Sequence, residues 1–167
     1  MRKLVLFAAA AAVSAASAQA QMADRKELSA AAARQMVSAC EAYARARGGS
    51  ANIWAVNLRG EPLSFLRMDG ANPWRGDWAH AKAQTSAKTG NPTRNVLENF
   101  DRRGVTQATG MYYQLEHFAM PGGVPVVVNG SPAGALGVDG LGAEEDEKCA
   151  LAGIAAVIPG YKLPGAQ

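Results

Sequence analysis

Residues 121–139 read PGGVPVVVNGSPAGALGVD. Val124 to Val128 is a β-branched run, Asn129-Gly130 is a tight-turn pair, and Ala133 to Val138 returns as a second extended run. Asn-Gly between two such runs predicts an antiparallel hairpin, because both central residues of the favoured turn take positive φ. Gly134 and Gly137 have no side chain to pack in the returning strand. That predicts either the close approach of another backbone or ligand, or a bend or bulge.

A second hairpin lies upstream. Asn52 to Leu58 and Leu63 to Met68 are strand-like, and Arg59-Gly60-Glu61-Pro62 reads as the turn between them. Helical patterns surround the pair. Ser29 is a good N-cap for a helix running to about Arg47, stopped by Gly48-Gly49. Trp78 to Lys88 reads as a helix whose small face, Ala79, Ala83 and Ala87, suits a sheet. Gly90-Asn91-Pro92 ends it, and Thr93 is placed to cap a short helix through Phe100. Gly104 to Met120 reads as a short helix around Met111-Tyr112-Tyr113 or as a loop over a pocket. Glu144, Glu145 and Asp146 open a last helix, where acidic charge complements the macrodipole, and the run to Glu147 reads as a solvated face. The expected fold is α+β: a single domain with an antiparallel sheet flanked by helices.

At 167 residues, 49% of them hydrophobic and 19% charged, the chain suits one globular domain and not a disordered tail. Its start reads as a signal peptide over residues 1–20. Arg2 and Lys3 precede the apolar run Leu4 to Val13, and Ala18-Gln19-Ala20 fits the cleavage pattern, leaving residues 21–167 as the mature domain. The run is shorter than the roughly 20 residues of a membrane span. Loss of Arg2 and Lys3 leaves 15 basic against 14 acidic residues. With no basic array interleaved with aromatics, nucleic acid is a poor partner. A periplasmic or secreted location is expected.

Export makes a disulfide the natural use of the only two cysteines. Cys40 lies on a helical stripe with Ala33, Met36, Val37 and Ala44, and Cys149 on one with Ala152, Gly153 and Ala156. Small residues let the two helices approach, so a Cys40–Cys149 bridge is predicted, worth roughly 4–5 kcal/mol on the chain-entropy account. Two buried free thiols are the alternative.

Several segments together resemble the GlcG/HbpS-like family, or haem-degrading domain. They are Phe65-Leu66-Arg67-Met68-Asp69-Gly70-Ala71, Lys82-Ala83-Gln84-Thr85, Asn91-Pro92-Thr93, the block from Pro121-Gly122-Gly123-Val124-Pro125 through Gly134-Ala135-Leu136-Gly137-Val138, and Glu145-Asp146-Glu147. In order, they run from Phe65 to Glu147, and the resemblance extends from Leu28 to Val157. The resemblance implies a profilin-like or PAS-like fold, homo-oligomers including octamers, and haem or another tetrapyrrole as ligand for some members. The chain departs from the pattern at Asp139, where a serine is common, and in the Tyr-, Met- and His-containing stretch Met111 to Met120.

The residues themselves offer a site. His117 is the best axial iron ligand, with Met111, Met120, Tyr112 and Tyr113 close in sequence; an ordinary loop histidine is the alternative. No C-x-x-C-H is present for covalent haem attachment. His80 reads as a surface or interface side chain. Arg67 and Lys82 suit the carboxylates of haem or a small organic acid. Asp69 either joins that site or pairs with Arg67. Thr85, one helical turn beyond Lys82, either offers a hydroxyl to the ligand or bonds a carbonyl one turn back.

Catalytic motifs are scarce. There is no G-x-S-x-G elbow, no H-x-x-x-H spacing and no phosphate-cradling loop. The reading is an exported ligand-binding protein for haem or a related tetrapyrrole, with Arg67, Lys82 and Thr85 in the pocket and Tyr112 to Met120 as its lid. The alternatives are an enzyme acting on haem or a small organic acid in that cleft, or an oligomeric interaction protein without ligand.

Overall fold

The computed structural model describes residues 26–104 and 118–164. The signal-peptide expectation, and Met111, Tyr112, Tyr113 and His117, lie outside the described residues.

Helix α1 spans Ala30–Arg45, and the Ser29 hydroxyl accepts from the Ala32 amide at 3.2 Å, as a cap should. Its buried stripe is the expected one: Ala33, Met36, Val37, Cys40 and Ala44. Strands β1 (Asn52–Val56) and β2 (Pro62–Arg67) form the first hairpin. β1 stops two residues short of Leu58 because the Asn57 side chain builds the turn. Its Oδ1 accepts from the amides of Arg59 and Glu61 at 2.9 and 3.0 Å. Helix α2 (Arg75–Thr89) starts three residues before Trp78 and ends at Gly90, whose φ of 67° is the left-handed stop.

Helix α3 covers Thr93–Arg102 with Pro92 at the N-cap, which corrects the capping role expected of Thr93. That hydroxyl is used across space instead, on the chain around residue 120. Strands β3 (Gly123–Val128) and β4 (Ser131–Asp139) flank Asn129 and Gly130, both at positive φ, as the Asn-Gly turn requires. Helix α4 spans Ala143–Val157.

The four strands form one antiparallel sheet in the order β2-β1-β4-β3. Alternation divides their side chains between two faces. Ile53, Ala55, Val124, Val126, Leu136 and Val138 pack with the apolar stripes of α1 and α4. Val56 and Ala135 pack on the other face with Ala83 and Ala87 of α2, the expected small-residue face.

Both readings of the β4 glycines hold, at different positions. A Cβ on Gly137 would lie 2.1 Å from the Ala79 carbonyl oxygen, so its absence lets α2 rest on the sheet. At Gly134 the register slips between Val126 and Val127, and a Cβ there would meet the Val56 carbonyl at 2.4 Å.

Cys40 and Cys149 form the predicted disulfide, with Cα atoms 4.8 Å apart and 109 positions between them in sequence. A Cβ on Gly153 would lie 2.6 Å from the Met36 carbonyl, so the α1–α4 approach needs that glycine. The stripe on α4 is rotated from expectation. Asp146, Glu147, Cys149, Ala150, Gly153 and Ile154 are buried, whereas Ala156 is exposed.

The two outer strands differ at their edges. Pro125 of β3 has no amide proton to offer, and its carbonyl accepts from the Tyr161 hydroxyl in the C-terminal tail. β2 carries no strand on its outer side among the described residues. No helix among them is long and apolar enough to cross a membrane.

Candidate functional site

The first half of α2 and the chain entering β3 form an aromatic surface. Trp74 and Trp78, one turn apart, meet edge to face with centroids 4.4 Å apart. Trp78 lies 5.4 Å from the Phe118 ring, and the Arg75 guanidinium sits 5.6 Å above Trp78. Trp74 is 53% exposed and Met120 42%. Large apolar side chains this open to water are where a flat apolar partner gains most.

Two threonines hold the segment that carries Phe118 and Met120. The Phe118 amide donates to Thr85 Oγ1 at 2.7 Å. Thr93 Oγ1 donates to the Met120 carbonyl at 2.6 Å and accepts from the Gly123 amide at 2.9 Å. Thr85 is fully buried, and its hydroxyl anchors this backbone.

Beneath the segment lies a buried charge cluster. Lys82, 1% exposed, places Nζ 2.7 Å from Asp139 and 3.1 Å from Asp146, and donates to the Val138 carbonyl at 3.0 Å. Arg75 bonds the other oxygen of Asp139 at 2.9 Å. The remaining Asp146 oxygen accepts from the Leu141 amide at 2.9 Å. Burial pushes the Asp146 carboxyl above its ordinary range, although Lys82 and the Leu141 amide pull the other way. Glu147 is buried beside it and receives Arg94 Nε at 2.9 Å. The acidic run is therefore solvated at Glu144 and in part at Glu145, but not at Asp146 and Glu147. Asp146 and Glu147 turn inward because cations on α2 and α3 meet them.

This placement corrects the joint anion anchor expected of Arg67 and Lys82. The Lys82 charge is already matched by two carboxylates inside the protein. Arg67 sits across from Asn52 on the edge strand, exposed, and forms no ion pair with Asp69, which is also exposed. On that side of α2 a second aromatic group closes. Trp54 stacks on Phe65 at 4.2 Å and on His80 at 4.4 Å, and His80 Nε2 lies 3.3 Å from the Gly60 carbonyl. His80 thus ties the first hairpin to α2. Trp54 Nε1 and Asn52 Oδ1 are buried there without a hydrogen-bond partner among the described residues. A separate cleft of about 610 Å³ opens at the far end of α2, between Lys26, Lys88, Val128 and Pro132, away from both aromatic groups.

Trp74, Arg75 and Trp78 were not picked out from the sequence. The signal was present: two tryptophans four positions apart share a helix face, and Arg75 lies between them. Asp139, noted as a departure from the serine common in the family, is a partner of Lys82.

The chain has close likenesses among solved structures. A Klebsiella pneumoniae protein, ORFY, superposes with a TM-score of 0.76 at 25% identity, covering 83% of this chain and 96% of that one. HbpS superposes with a TM-score of 0.73 at 28% identity, covering 85% and 96%, and a double mutant of Streptomyces reticuli HbpS does so over 84% and 92% at the same score and identity. A PduOC:heme complex, at 23% identity and a TM-score of 0.71 over 84% and 99%, shares the fold. A search of curated proteins finds no match. Residues 28–155 match the family described as haem degrading protein HbpS-like, and the chain belongs to that family.

Proposed function

We propose that this protein is an exported binding protein for haem or a related tetrapyrrole. The observation that carries the reading is the aromatic cluster of Trp74, Trp78 and Phe118 beside Arg75, with Trp74 open to water, in a chain of the HbpS-like family. A flat macrocycle buries a face against such rings, and the Arg75 guanidinium, held by Asp139, lies over the Trp78 ring. The name of the PduOC:heme complex, a neighbour in fold, agrees with this class of ligand.

The described residues fit the macrocycle better than the iron. His80 is engaged between Trp54 and the Gly60 carbonyl. The Met120 side chain is exposed, and His117, three positions before it, lies outside the described residues. Bound haem would bring iron for ligand or redox chemistry. The protein's part is to bury the ring and to hold the backbone at Phe118 and Met120 through Thr85 and Thr93. Tyr112 and Tyr113, expected in its lid, lie outside the described residues. Arg67 and Asp69 stand apart from this surface and do not enter it.

Titration of the purified protein with haemin tests this. The expected result is a saturable Soret shift with quenching of tryptophan fluorescence. Trp78→Ala should weaken binding by roughly tenfold or more, as loss of a central aromatic anchor does. His117→Ala should alter the Soret position if that imidazole binds the iron. No saturable shift under any condition overturns the proposal, and bleaching with added reductant would move it to haem breakdown. One observation supports homo-oligomers as well: β2 offers a bare edge with Phe65 47% exposed beside it.

A further inference from the structure

We propose that the aromatic surface recognises its tetrapyrrole by the face of the ring and not by the ring's carboxylates, so that an uncharged ester of the macrocycle is as good a ligand as the free acid. The inference rests on the binding reading above and narrows the ligand class of that same surface.

The cations on the described elements around this surface are committed within the protein or lie away from the rings. Arg75, the guanidinium over Trp78, bonds Asp139 at 2.9 Å. Asp139 is shared with Lys82 at 2.7 Å, and Lys82 with Asp146 at 3.1 Å. Two cations thus face two carboxylates, and the group as a whole is neutral. Lys88 stands in the last turn of α2, at the opposite end from Trp74 and Trp78. On α3, Arg94 is held by Glu147 at 2.9 Å. Arg102 and Arg103 lie at the far end of α3, roughly 13 Å along the axis from Thr93.

The neighbouring sequence adds acids instead. Asp77, exposed in the first turn of α2, follows Trp74 by three positions and so shares its side of the helix. Residues 105–117, which lead into Phe118, hold no lysine or arginine and one acid, Glu116. Residues 118–123 hold no charged side chain at all.

A carboxylate brought to this surface meets no net positive charge. Burying it would cost its hydration without the paired, hydrogen-bonded cation that a buried charge needs. The ring carries no such cost. Trp74 is 53% exposed beside Trp78, and Trp78 beside Phe118, so a flat apolar face laid on them removes apolar surface from water on both sides. The macrocycle therefore binds by its face, and its carboxylates stay in water.

The test compares two metal-free ligands, deuteroporphyrin and its diester with short ethylene-glycol chains, by quenching of tryptophan fluorescence. Leaving out the iron removes axial ligation from the comparison. The two affinities should agree within about threefold, and a diester bound about tenfold or more weakly than the acid overturns the inference while keeping the binding reading. If neither ligand binds, both fall. Arg75→Gln isolates the guanidinium: it should change both affinities by the same factor, and a loss confined to the acid overturns the inference. If that variant does not fold, salt decides in the wild type. The affinity for the acid should hold from low salt to about 0.5 M, where exposed charge pairing is screened, and a fall that the diester does not share overturns the inference.

Discussion

Lys82 shows how much one side chain can organise. Its ammonium sits among two carboxylates and a carbonyl at 2.7–3.1 Å, with almost no exposure. Removing one member of a buried pair leaves the others charged and unmatched, which costs about 3–5 kcal/mol. Lys82→Met should therefore lower the free energy of urea unfolding by that order, far more than a surface Lys162→Met. Gly137 is as exacting for a steric reason. A methyl group there would overlap the Ala79 carbonyl, so Gly137→Ala should lift α2 and cost about 1–3 kcal/mol, read as a lower thermal midpoint. Tyr161 gives the clearest pH signature. Burial raises its phenol to about 12 from an ordinary value near 10. Its contribution is thus complete below about pH 10 and is lost as pH climbs toward 12. Phenolate absorbance should show one tyrosine titrating late, and Tyr161→Phe should remove that late step.

The helices differ in how openly the sequence declared them. α1 was legible from Ser29 to its buried stripe, because cap, spacing and glycine stop are all local signals. The β3–β4 hairpin was legible for the same reason: Asn129-Gly130 admits few alternatives. α4 was misread on its acidic face. Glu144 to Glu147 looks the same in sequence whether bathed in water or paired, and the partners Lys82 and Arg94 lie 64 and 53 positions away. Lys82 was misread for the same cause, since a lysine in a small-residue helix declares a charge but not its counter-charge. Arg67 and Lys82 fell on different sides of the α2 contact, which depends on strand order and not on spacing. At this scale the α1–α4 staple carries its own expectation. Cys40→Ala with Cys149→Ala should cost about 2–5 kcal/mol, and the wild type treated with reductant should lose a similar amount in urea.

Across the whole molecule, one sheet separates two kinds of work. The α1–α4 face is apolar, closed and cross-linked, and supplies the stiffness. The α2 face carries polar and aromatic groups on both flanks of the helix, with His80 fastening one flank and Thr85 and Thr93 arranging the other. Fold class, sheet and disulfide were readable because each follows from short-range pattern or from the small number of cysteines. The aromatic surface was not, because it forms only when residues 74–78 and 118–120 meet in space. The sheet's unequal borders have a further effect. Among the described residues the Pro125 side of β3 is stoppered by the tail and the β2 side is bare, which leaves one docking rim for strand-to-strand addition, so growth by that rim ends once two chains have met on it.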